Sequence, residues 1–400
     1  MPASGVTFGK KTLRDLKVER GTPVVLRVDF NVPLKDGEVT DDARIRAALP
    51  AIEHLREAGT RIVACSHLGR PKGADPATSL APVSKRLGDL LGERVYQAPE
   101  VIGPEARRGA ARLEPGEILV LENTRWESGE TKNDPQLAEQ LAELGEAFVL
   151  DAFGSAHRAH ASTAGIAKHL PSYAGPLLEK EVTTLRGVME SPERPLVVVL
   201  GGAKVTDKVA LIDRFLDISD ALLIGGAMCF AFNKAKGIET GNSLVEDAGV
   251  LLAKGALEKA EDSGCDLLLP TDLVAGDDFS AHASVRKLDG VAVEEGWMGL
   301  DIGPQTAGRY AQEIKQAGTV FWNGPMGAFE LDPFAAGTRA VAEAVADAPG
   351  YTVIGGGDSG AAIAQFGLAD RVDWLSTGGG ASLELLEGKE LPGVEALDDA

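Results

Sequence analysis

Short apolar runs alternate with amphipathic helical stretches along the whole chain, and this rhythm predicts an α/β fold of doubly wound parallel sheets. Three observations carry it. The apolar runs are β-branched or leucine-rich without in–out alternation, as in parallel strands covered on both faces. Stripes at helical spacing fall between them. The length, 400 residues, exceeds what one hydrophobic core organises, so two domains are expected.

The strands predicted in order are 23–28, 61–65, 118–121, 147–150, 196–200, 221–224, 266–269, 319–322, 351–354 and 372–375. After the first, Ile45, Ala48, Leu49, Ile52 and Leu55 form a helical stripe that Pro50 should bend or end. Asp134-Pro135 opens a helix bearing Leu137, Leu141 and Leu144, and Gly145 stops it. Ser243 with Glu246 has the spacing of a capping box, and Asp332-Pro333 opens another helix. Between 170 and 195 two proline-rich breaks flank one helical stretch, 177–189, which reads as a rigid connector. The expected organisation is a first domain over 1–171, a hinge helix over 172–190 and a second domain over 191–381.

Apolar residues make up 44% of the chain, enough for globular cores. Sixty acidic against forty basic residues leave a net charge of −20. That sign argues against nucleic acid or an anionic membrane as the partner. It suits either a carboxylate-rich soluble surface or adaptation to high salt. Cys65, Cys229 and Cys265 match no zinc spacing and read as reduced, buried residues of an intracellular protein. Residues 1–11 lack a signal-peptide core, and no apolar stretch is long enough to span a bilayer, so the expected location is the cytoplasm.

Ligands of open parallel sheets bind beyond the carboxyl ends of the strands. In the first half those ends carry basic and polar groups. Arg27, Asp29 and Asn31 follow one strand, His67, Leu68, Gly69 and Arg70 the next, Arg125 a third, and His157, Arg158 and His160 a fourth. Arg44 begins the first helix. So many cationic and titratable groups at one sheet edge point to a bound anion, since the arginine fork pairs with phosphate or carboxylate through two hydrogen bonds. His157 and His160 lack a third ligand for zinc and are expected to help neutralise that anion. His54, His169 and His282 read as structural or surface residues.

The second half carries glycines at the equivalent places: Gly201 and Gly202 before Lys204 and Lys208, then Gly225 and Gly226, then Gly355, Gly356 and Gly357 before Asp358 and Ser359, and Gly378 to Gly380 after the last strand. Bare amides at helix N-termini suit phosphates, and Asp358 is a hard oxygen ligand for Mg²⁺ held between nucleotide phosphates. There is no Walker A spacing around Lys204. Gly355, Gly357 and Gly360 satisfy G-x-G-x-x-G, yet glycines occupy the place about 20 residues on where a dinucleotide enzyme wants an acidic residue. An NAD-dependent dehydrogenase is therefore the disfavoured alternative.

Arg27-Val-Asp-Phe-Asn-Val-Pro33, Ser66-His-Leu-Gly-Arg-Pro71, Leu121-Glu-Asn-Thr-Arg125, the run from Asp151 to His160, Gly201-Gly-Ala-Lys-Val205, Trp322-Asn-Gly-Pro-Met-Gly327, Gly355-Gly-Gly-Asp358 and the run from Ser376 to Leu386 together resemble the phosphoglycerate kinase family. The resemblance runs from about Leu26 to the C-terminus. It implies two Rossmann-like domains, glycerate on the first and nucleotide on the second, with the tail 382–400 returning to the first. It implies reversible, Mg²⁺-dependent phosphoryl transfer from 1,3-bisphosphoglycerate to ADP, giving 3-phosphoglycerate and ATP, by a monomer that closes on its substrates. The glycerate positions implied are Asp29, Asn31, Arg44, His67, Arg70, Arg125 and Arg158, with Arg27, His157 and His160 filling out the patch. The nucleotide positions implied are Lys204, Lys208, Asn323, Glu330, Gly356, Gly357, Asp358 and Ser359, with Gly225 and Gly226 lining the site. Arg44 and Lys204 would stabilise the transferring group. Ser359 stands where the family usually has Thr, Gly360 where Ala is usual, Ala227 where Gly is frequent, and Ser155 where Thr is common, which leaves the finer nucleotide preference open.

Overall fold

A computed structural model describes residues 6–400. The chain divides into two compact units, Thr7–Thr183 with Gly388–Ala400, and Thr184–Glu387. The division falls inside the helix Pro176–Glu190, which buries Leu178 and Val182 before it and Leu185 and Val188 after it. The tail joins the first unit from Gly388, where Lys10 pairs with Asp399 at 2.8 Å and the Ser172 hydroxyl donates to Asp398 at 3.2 Å. The helix Gly380–Leu386, where that return was expected to begin, lies in the second unit, with the Ser382 and Ser376 hydroxyls 2.6 Å apart.

The first unit holds one six-stranded sheet in the order Tyr96–Gln97, Ile118–Val120, Arg61–Cys65, Pro23–Val28, Ala147–Asp151, Ser172–Ala174, parallel throughout. The second unit holds another, in the order Asp266–Leu268, Ala221–Ile224, Leu196–Leu200, Thr319–Asn323, Tyr351–Gly355, Trp374–Leu375, again parallel. This second order, 3-2-1-4-5-6 in chain sequence, is that of the dinucleotide-binding fold. The two-sheet α/β architecture agrees with the sequence expectation. The central strands are buried along nearly their whole length, which is why they lack alternation.

Several elements differ from expectation. Pro50 does not end its helix: Ala43–Glu57 is continuous, and Pro50 sits on its exposed face. Ser172–Ala174, inside a segment read as a break, is an edge strand. A small antiparallel sheet, Leu273–Gly276 between Val285–Leu288 and Met298–Ile302, is inserted between two strands of the second sheet. Ser243 and Glu246 form no capping box. Glu246 is the N-cap of Asp247–Ser263, but its carboxylate turns to Lys204 and Thr206, and the Ser243 hydroxyl accepts from the Gly299 amide at 2.9 Å.

At the end of its strand, Asp151 caps the helix Pro176–Glu190 by accepting from the Leu177 and Leu178 amides at 2.8 and 3.1 Å, and its other oxygen is buried without a partner. Burial pushes this carboxyl up to about 7, against the pull of the two amides. The folded chain thus keeps a proton that the unfolded chain releases near 3.8, and the stabilisation from that proton is lost as pH rises through about 7. Asp151→Asn is expected to shift the Tm difference between variant and wild type in the variant's favour on going from about pH 5 to about pH 8. Equal differences at both pH values would contradict this.

Candidate active site

In the first unit the loops after four adjacent strands bring the basic residues into one field. Burial lowers the pKa of Arg125, and Arg158, Arg27 and Arg70 lower it further. His67 lies in the same field, facing Arg27, Arg125, His160 and Arg44. Polar groups fix the geometry. Asp29 accepts from Arg44 Nη1 at 3.2 Å and from the Asn31 amide at 3.1 Å, while the Asn31 carbonyl holds the same Arg44 nitrogen at 3.1 Å. Asn31 Oδ1 accepts from the Gly69 amide at 2.8 Å, and Arg125 Nη1 donates to the Gly69 carbonyl at 2.6 Å. Arg125 Nε is buried with no hydrogen-bond partner. Arg158 Nε donates to His157 at 3.0 Å. Leu68 is held at both amide and carbonyl by Asn123.

Two features correct the sequence reading. Arg27 is fully buried, its guanidinium spent on Ser162, the Val28 carbonyl and His67, so it underlies the patch and does not line it. His160 is not the charge-neutralising group expected, and His67 shares its state. Burial pushes His67 well below its usual value, helped by the surrounding arginines, and brings His160 down to about 4. At neutral pH both are neutral imidazoles that offer hydrogen bonds, and the positive charge belongs to the arginines.

In the second unit the switch point of the sheet lies between Leu196–Leu200 and Thr319–Asn323. The loops beyond it pack backbone to backbone: Gly201 N donates to the Asn323 carbonyl at 2.9 Å and Gly226 N to the Met326 carbonyl at 2.9 Å. A Cβ on Gly226 would stand 2.5 Å from the Gly202 amide nitrogen. Gly201, Gly225 and Gly226 therefore serve first to let three loops touch, while Gly202 supplies a φ of +115°. Gly356, at φ +90°, turns the chain into the helix Gly357–Gln365, and open space surrounds Gly357 at that helix start.

Asn323 is buried: its amide donates to the Gly355 carbonyl at 2.7 Å and its Oδ1 accepts from Lys208. Burial lowers Lys208 to about 8, with Asp358 and Asp207 opposing the shift. The Ser359 hydroxyl is also buried, accepting from Gly324 N at 2.5 Å and donating to the Gly355 carbonyl at 3.0 Å. Contrary to expectation, that hydroxyl is committed to the protein. Lys204 is exposed on its loop and pairs with Glu246 at 2.6 Å.

Beside these loops lies a cavity of about 430 Å³ whose lining runs from Gly202, Glu330 and Asp358 to Phe230, Leu273 and Leu300. Its size and mixed lining suit a nucleoside with phosphates at the polar end. The apolar part was missed in the sequence because it is assembled from the inserted antiparallel sheet and a helix, whose residues read singly as core. Phe279 and Leu244, large apolar side chains left exposed at this cavity, are a signal only the structure provides. A Cβ on Gly299 would stand 2.1 Å from the Phe230 ring, so glycine there leaves the ring its place in the wall.

Among the described residues no three His, Cys, Asp or Glu side chains cluster to hold a metal ion, and no helix is long and apolar enough to cross a membrane. Asp358, a carboxylate at the polar end of the cavity, suits a Mg²⁺ carried largely by nucleotide phosphates and water.

The family model described as phosphoglycerate kinase matches residues 13–389. A phosphoglycerate kinase of Chloroflexus aggregans is 53% identical over 400 residues, covering 98% of this chain and 100% of the relative. One from Roseiflexus sp. is 53% identical over 396 residues with the same coverage. The structure of phosphoglycerate kinase from Coxiella burnetii superposes with TM-score 0.88 at 41% identity, covering 97% of this chain and 98% of that one. The crystal structure of the Pyrococcus horikoshii phosphoglycerate kinase gives 0.84 at 34% identity, again over 97% and 98%.

Proposed function

The chain belongs to the phosphoglycerate kinase family, phosphotransferases with a carboxyl group as acceptor, and on that premise we propose that it moves a phosphoryl group between 1,3-bisphosphoglycerate and ADP, with Mg²⁺ accompanying the nucleotide. The single observation that carries this reading is the division of labour between units: a field of converging arginines in one, and a nucleoside-sized cavity ending at a helix N-terminus and Asp358 in the other.

In this reading Arg70, Arg125 and Arg158 bind the phosphate and carboxylate of the glycerate, while Asp29, Asn31 and His67 orient its hydroxyl end. The wall of Phe230, Leu273 and Leu300 receives the base. Lys208 and the Gly357 amide face the nucleotide phosphates. Arg44 and Lys204 neutralise charge on the phosphoryl group as it passes in line between donor and acceptor oxygens, a reaction that needs positioning and charge more than a covalent partner. Mg²⁺ at Asp358 would supply further charge neutralisation on the phosphates. Because acyl phosphates hydrolyse, transfer awaits closure of the two units about the helix Pro176–Glu190, which excludes water. A monomer in the cytoplasm suits the three buried free cysteines.

The family match displaces the dehydrogenase alternative. ATP formation from 1,3-bisphosphoglycerate and ADP tests the proposal directly. Turnover that requires Mg²⁺ and is indifferent to NAD is expected; no ATP from the folded protein with Mg²⁺ present would refute it.

A further inference from the structure

Glu130 is a fully buried carboxylate beneath the basic patch, and the mechanism above gives it no task. It accepts from the Ser162 hydroxyl at 2.6 Å, from the Ser162 amide at 3.0 Å and from the Thr124 hydroxyl at 3.1 Å. The Ser162 hydroxyl has one hydrogen, and that hydrogen is spent on Glu130. Its oxygen can therefore only accept from Arg27 Nε, 2.8 Å away. Arg27 continues the chain through Nη2 to His67 Nδ1 at 3.2 Å. A guanidinium has no acceptor, so Nδ1 must accept, and a neutral imidazole accepting at Nδ1 carries its proton on Nε2. Every link thus has one sense. Arg27, Ser162 and Glu130 are all fully buried, so water cannot substitute for a missing link without cost.

We propose that Glu130, acting through Ser162 and Arg27, is a positioning residue that fixes His67 as the neutral imidazole with its proton on Nε2, so that this N–H is presented to the glycerate as a donor. The proposal rests on the reading of His67 as a glycerate contact. The charged and titratable groups facing His67 are Arg27, Arg125, His160 and Arg44, and all of them, after burial itself, disfavour the imidazolium. Removing the negative charge of Glu130 takes the acceptor end from the buried chain that runs through Ser162 to Arg27, and also a carboxylate 3.9 Å from His160 Nδ1. Removing Ser162 Oγ leaves Arg27 Nε without its acceptor and frees the guanidinium to turn away from His67.

The test is nitrogen NMR of the full chain labelled at its six histidines, with the His67 signals identified by their absence from His67→Gln. The wild type is expected to show His67 as the neutral Nε2–H form across the neutral pH range. Ser162→Ala is expected to abolish that single-tautomer pattern and raise KM for 3-phosphoglycerate about tenfold, the cost of one lost buried hydrogen bond, with KM for ATP unchanged. Glu130→Gln, which keeps one acceptor but not the charge, is expected to act in the same direction and gives the same reading should Ser162→Ala fail to fold. A wild-type His67 that is protonated or carries its proton on Nδ1 overturns the proposal. A folded variant that lacks either change, or that raises both KM values together, overturns it as well. The tautomer is read in the resting protein, so failure of the kinase reading shows in the turnover assay and not in this spectrum.

Discussion

Lys204→Ala is expected to lower kcat by about a hundredfold or more, as when one preorganised contact to transition-state charge is removed, while the fold and its melting temperature stay close to wild type. The separation of the two effects follows from where Lys204 sits. It is exposed on the loop after the strand Leu196–Leu200, and its one ion pair, to Glu246 at 2.6 Å, is with a carboxylate that is itself partly solvated. Exposed pairs of this kind contribute little to stability. The Glu246 contact raises the Lys204 pKa, so the ammonium is fully charged at working pH and ready to exchange a protein carboxylate for a phosphoryl oxygen. Steady-state kinetics beside a thermal melt provide the check. Near-wild-type kcat would remove Lys204 from the mechanism, and a collapse of Tm would show that its role is structural.

Arg44→Ala is expected to be as severe in kcat, about a hundredfold, and also to raise KM for the glycerate. The second effect arises because Arg44 anchors Asp29 at 3.2 Å and the Asn31 carbonyl at 3.1 Å, two groups that orient substrate in this reading. The fold should survive. Arg44 occupies the first turn of the helix Ala43–Glu57 with its side chain over a third exposed, and alanine is the best helix former. Arg44→Lys should not rescue, since an ammonium cannot span both acceptors and the phosphoryl group as a planar fork does. Full activity in Arg44→Lys would contradict the role given to the fork.

The strands Pro23–Val28, Arg61–Cys65, Leu196–Leu200 and Ala221–Ile224 were legible residue for residue because they are buried runs with hard polar ends. Tyr96–Gln97 and Ser172–Ala174 were not: strands of two or three residues at a sheet edge exist through pairing with a neighbour, which no local pattern announces. Val285–Leu288 is too short and too exposed for its two apolar ends to form a pattern. That Pro50 does not end its helix was not legible, because the packing of Ile45, Ala48, Ile52 and Leu55 carries the helix through it. The arginines and glycines of the site were legible because parallel-sheet topology sends strand ends to one edge whatever their spacing in the chain. Glu130 was invisible for the opposite reason. It lies in a polar segment that reads as surface, and it meets Ser162 and Arg27 only in three dimensions. The protonation of His67 and His160 likewise follows from burial, which the sequence does not state.

In the proposed mechanism glycerate and nucleotide are held by different units of one chain, and transfer waits for both to be bound. Small-angle scattering tests this most directly. The radius of gyration is expected to fall when 3-phosphoglycerate and a Mg²⁺–nucleotide are present together, and to change less with either alone. An unchanged radius with both substrates saturating would contradict the account.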